Sequence, residues 1–76
     1  MSSKNFYVKT MNAIADVLKK IATIHETIML KREITEDERE RKMLENFLLW
    51  IDDACEYLRK TYVELDDLRK RYEKHE

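Results

Sequence analysis

The sequence predicts an all-α protein: an antiparallel hairpin of two long helices that dimerises into a four-helix bundle. Three observations predict it. Glycine and proline are both absent from the 76 residues, where average usage would give about nine between them. Charged residues are 41% and hydrophobic ones 43%, the mixture of long amphipathic helices and not of a disordered tail. Apolar residues recur at alternating spacings of four and three along most of the chain, in two runs with a lapse between them.

The first run is Tyr7, Met11, Ile14, Leu18, Ile21, His25 and Ile28, one helical seam kept for about six turns. Val17 and Ile24 flank it on one side, and Ala15, Ala22 and Met29 on the other. The Ser2/Ser3 pair offers a cap for its start. Continuing the same spacing puts Arg32, Thr35, Arg39 and Lys42 on the seam, so the apolar register lapses there. Thr35-Glu36-Asp37-Glu38 reads as a capping box, with Thr35 as the cap and Glu38 reaching back. The expected boundaries are therefore helix one at about 4–33, a turn at about 34–35 and helix two at about 36–74, all in one domain. At roughly 1.5 Å per residue the helices would be near 45 and 58 Å long.

The second run is Leu44, Phe47, Ile51, Ala54, Leu58, Thr61, Leu65, Leu68 and Tyr72. Met43, Trp50 and Tyr57 widen it on one shoulder; Leu48, Cys55 and Tyr62 widen it on the other. Acidic residues crowd its beginning (Glu36, Asp37, Glu38, Glu40) and basic ones its end (Arg69, Lys70, Arg71, Lys74). Both clusters complement the helix macrodipole. Folding the two runs together about the turn pairs Ile28 with Leu44, Ile21 with Ile51, Ile14 with Leu58 and Tyr7 with Leu65, and sets His25 opposite Phe47. Bulky Leu18 then meets small Ala54, the alternation that interdigitated layers need.

Composition excludes much chemistry. Without glycine there is no Gly-rich phosphate loop and no dinucleotide-binding turn. The only serines are Ser2 and Ser3, at the chain's start, and no Asp or Glu has a histidine three residues later. That removes a serine-based triad and the carboxylate–histidine pattern of metal-binding bundles. The lone Cys55 sits between Ala54 and Glu56, in apolar and acidic surroundings with no base at hand, and reads as a packing residue. His25 interrupts an aliphatic seam with no companion ligand near it, which suits a partly buried histidine bonded to a carbonyl or carboxylate. Asp52, Asp53 and Glu56, like Glu64, Asp66 and Asp67, read as a solvated outer face. No enzyme, cofactor or metal is expected.

What remains is surface. The second helix is apolar over a wider arc than one partner helix covers, and Met43, Trp50, Tyr57 and Leu49 are the candidate protein-binding residues, since aromatic and Met side chains are enriched at binding hot spots. A domain of this size also falls near zero in stability when burial is set against ordering, so self-association is expected. Net charge is −1, carried as +3 over residues 1–35 and −4 over residues 36–76, which is too even to imply nucleic acid by itself. Folding does gather Lys4, Lys9, Arg69, Lys70, Arg71 and Lys74 at one tip, the basis of the alternative reading as a small dimeric nucleic-acid-binding regulator. The longest apolar run is the five residues Phe47 to Ile51, far short of a membrane span, and no signal-peptide core is visible. A cytoplasmic location is expected.

The first expectation for function is thus a non-enzymatic interaction module, a homodimer that binds and modulates a larger protein as an adaptor or inhibitor. By analogy alone, compact chains of this kind commonly act as adaptors, inhibitors or phage-type host-takeover factors. The plan resembles small dimerising two-helix hairpins such as plasmid copy-number regulators; the likeness is architectural, covers no motif and transfers no function.

Overall fold

The computed structural model describes residues 3–75, with side chains over residues 5–73. It is all-helical: α1 spans Ser3–Ile34 and α2 spans Glu38–His75, packed against each other as an antiparallel hairpin about 59 Å long. The proposed Ser2 cap and the side chains of Ser3, Lys4 and Lys74 lie outside the described residues.

The link is residues 35–37, three residues where two were expected, and it falls later in the chain. Its hydrogen bonds show why. The Thr35 amide still donates to the Lys31 carbonyl at 3.0 Å, so Thr35 continues the backbone bonding of α1 and its N–H is not available to Glu38. Asp37 caps α2 instead: its Oδ1 accepts from the amides of Arg39 at 2.9 Å and Glu40 at 3.3 Å, while its carbonyl accepts the first helical bond from Arg41 at 2.9 Å. An ionised cap also faces the positive end of the α2 dipole, which a threonine hydroxyl cannot match. The Arg41 Nη2 donates back to the Thr35 carbonyl at 2.8 Å and ties the two helix ends together. No described residue has positive φ, so the reversal needs no glycine.

Along α1 the expected seam is the inner one: Met11 and Ile14 are buried, and Tyr7, Leu18, Ile21, His25 and Ile28 are half-buried. Along α2 the inner line differs. Leu48 and Cys55 are buried, with Leu44, Ile51, Leu58, Leu65 and Arg69 half-buried, whereas Ala54, Thr61 and Leu68 are exposed. A two-helix contact is one stripe wide and takes only one of the two shoulders of a broad apolar arc. Here α2 turns its Leu48–Cys55 shoulder inward and leaves the other outside.

The pairing register also departs from the one expected. His25 meets Asp52, not Phe47, and Tyr7 meets Tyr72, not Leu65. Both displacements run more than one turn toward the C-terminal end of α2. Side chains lean toward the N-terminus of their own helix, so in an antiparallel pair each α1 residue reaches a partner further along α2. Ile34, the last residue of α1, is 74% exposed. Beside the link, Lys31 and Glu40 pair at 3.7 Å, near the expected register. The resulting core is thin: Met11, Ile14, Leu48 and Cys55 are its buried hydrophobic members, and no described side chain is fully enclosed.

Candidate protein-docking face

Three of the four candidate binding residues share one side of α2. Met43, Trp50 and Tyr57 are 51%, 62% and 69% exposed, on the shoulder that the hairpin does not bury. Phe47, half-buried, borders this stripe on its inner edge, its ring 5.8 Å from that of Trp50 and tilted by 44°. Lys60 Nζ stands 5.9 Å from the Tyr57 ring centroid, a cation held over an aromatic face. Positions 43, 47, 50, 54, 57 and 61 carry no charged residue at all.

Leu49 does not belong with them. It lines a groove with His25, Met29 and Leu48 on the opposite side of the hairpin. A second groove on that side runs between Ala15 and Leu18 of α1 and Tyr62 and Val63 of α2, with Arg59 at its edge. These grooves fix which side of α1 is which. Helical spacing puts Val17 and Ile24 on the other side, next to the Trp50 stripe, and they are 43% and 51% exposed. In the sequence both stand only as flanks of the α1 seam. Their signal was present in their position, one residue before Leu18 and His25 respectively. The face is therefore wider than foreseen, with contributions from both helices.

The basic tip is partly neutralised within itself. Arg69 donates from Nε and Nη2 to Asp66 Oδ1 at 3.2 and 2.7 Å, and from Nη1 to Glu73 Oε1 at 2.7 Å. Lys70 Nζ lies 3.1 Å from the other oxygen of Asp66. These bonds hold the Asp66 carboxyl below its ordinary range and raise the Arg69 pKa, in each case with the Asp66–Arg69 bond as the main cause. Asp66, expected on the solvated face, is thus half-buried and fully engaged. Lys9 and Arg71 are exposed at the same end. Nearby, burial and then the neighbouring Tyr72 push the Tyr7 hydroxyl pKa upward.

His25 Nε2 lies 3.2 Å from Asp52 Oδ1, and Cys55 is a free, buried thiol. Among the described residues no group of three or more His, Cys, Asp or Glu side chains is placed to hold a metal ion, and no helix is long and apolar enough to cross a membrane. Comparison with known proteins finds no matching family model, no similar curated protein and no similar solved structure.

Proposed function

We propose that the chain is a non-enzymatic interaction module of the cytoplasm, a hairpin that closes with a second copy into a four-helix bundle and, so assembled, binds and modulates a larger protein. One observation carries the reading: Trp50 and Tyr57, with Met43 beside them, lie open to solvent on a single uncharged stripe. Large side chains of this kind gain most from being covered, about 1.5–3 kcal/mol for each fully buried apolar side chain. A hairpin whose buried hydrophobic core is Met11, Ile14, Leu48 and Cys55 has little else to draw on. Contiguous exposed patches on small proteins mark interaction surfaces.

The nucleic-acid alternative draws less support, because Arg69 and Lys70 already hold Asp66 and Glu73, so a phosphate would have to displace those carboxylates. The test of the docking reading is binding by Trp50→Ala and Tyr57→Ala chains in affinity capture from the native cell. Retained helicity with lost capture supports it; unchanged capture in both variants removes it.

A further inference from the structure

We infer that the Trp50 stripe is occupied by the same stripe of a second copy, antiparallel across a two-fold axis at Ala54. This deepens the docking reading and rests on it: the occupant of the stripe is the second copy, the larger protein meets the assembled dimer, and capture lost by Trp50→Ala then reads the loss of that assembly. Area supplies the first argument. A compact monomer of 9.3 kDa exposes about 5,000 Å² by the usual scaling, whereas this hairpin exposes 6215 Å². The surplus of roughly 1,200 Å² is spread along a rod of 59 × 15 × 14 Å, and it exceeds the ~800 Å² that each partner buries in a standard stable interface.

Shape and charge supply the second. A two-fold interface must be complementary to itself. In the middle of the stripe the small Ala54 stands between the rings of Trp50 and Tyr57. Rotating a second copy about Ala54 sets the backbone of Phe47 in one chain level with that of Thr61 in the other, and that of Trp50 level with Leu58, one residue from Tyr57. Rings then flank a close approach at the alanine, and large side chains lie over small ones. No charge at positions 43, 47, 50, 54, 57 or 61 meets its own image. The grooves of the opposite face carry charge from Arg32, Glu45, Asp52 and Arg59, which favours the Trp50 stripe as the two-fold surface.

Sedimentation equilibrium over about 1–100 µM tests the occupant. The wild-type chain should be a dimer. Trp50→Glu should weaken association by about a hundredfold or more, with Tyr57→Glu as a second variant on the same stripe, while Leu49→Glu on the other face leaves the dimer intact. Circular dichroism of each variant confirms that the helices persist. The axis is tested by oxidation of single cysteines in a Cys55→Ala background. Ala54→Cys should link two chains readily, whereas Thr61→Cys, placed opposite Phe47, should not. Equal linking at both positions overturns the antiparallel axis, and a dimer broken by Leu49→Glu but not Trp50→Glu overturns the face. A wild-type chain monomeric at the highest concentration overturns the second copy as occupant. If that monomer still captures a larger protein through Trp50, the docking reading stands; if capture ignores Trp50, both fall.

Discussion

His25 Nε2 lies 3.2 Å from Asp52 Oδ1, bridging the two helices more than a turn away from the position that simple folding of the seams assigns to this histidine. The Asp52 side chain is 64% exposed, so water and salt screen the pair. Asp52→Asn is therefore expected to lower stability by less than about 1 kcal/mol. Denaturant melts of the two chains check it, and a larger loss would make this contact a determinant of register.

The turn offers a sharper contrast. Asp37→Ala removes the acceptor for the Arg39 and Glu40 amides and should cost about 1 kcal/mol. Thr35→Val keeps the buried shape and the backbone bonds to Lys31 and Arg41, so its cost should stay near or below about 0.5 kcal/mol. The reverse order in urea melts would restore Thr35 as the cap.

Adjacent leucines test the facing of α2. Leu48 is 7% exposed and Leu49 is 62% exposed. Leu48→Ala should destabilise by about 2–4 kcal/mol through a cavity in a thin core, and Leu49→Ala by no more than about 0.5 kcal/mol. Similar losses at both sites would contradict the observed roll of the helix.

Acid should loosen the tip. The Asp66 carboxyl is held below its ordinary value of 3.8 by Arg69 and Lys70. A depressed folded-state pKa contributes stability that is present above the unfolded value and is lost as pH falls through the folded one. The midpoint of thermal unfolding should thus decline as pH drops below about 4, and Asp66→Asn should flatten that limb. Parallel curves for the two chains would show that the carboxylate contributes nothing.

Much of this architecture was legible in the residues. The four-three spacing from Tyr7 to Ile28 marks the buried edge of α1 because a helix repeats its face at that period and little else in the sequence competes with it. On α2 the same spacing was ambiguous. Phe47, Ala54 and Thr61 form as regular a line with Leu44 and Ile51 as Leu48 and Cys55 do, and only packing against α1 selects between the two lines. The cap is ambiguous in the sequence because threonine and aspartate both suit an N-cap, and nothing local reveals that α1 runs to Ile34 and leaves Asp37 as the residue before α2. Leu49 is a candidate because it points away from the seam, and one helical step of about 100° sends it to a different side of α2 from Trp50. The Trp50–Tyr57–Met43 set was visible as a shoulder; its extension to Val17 and Ile24 required both helices in place.

The central claim is that the free stripe is covered by a second copy. Trp50, the only tryptophan, reports on it directly through emission and quenching as the protein is diluted from about 100 µM to 100 nM. The account predicts a shielded indole at high concentration that becomes accessible on dilution, together with a falling melting temperature. An indole equally open to quencher at every concentration, in a chain that melts cooperatively at one fixed temperature, would contradict it.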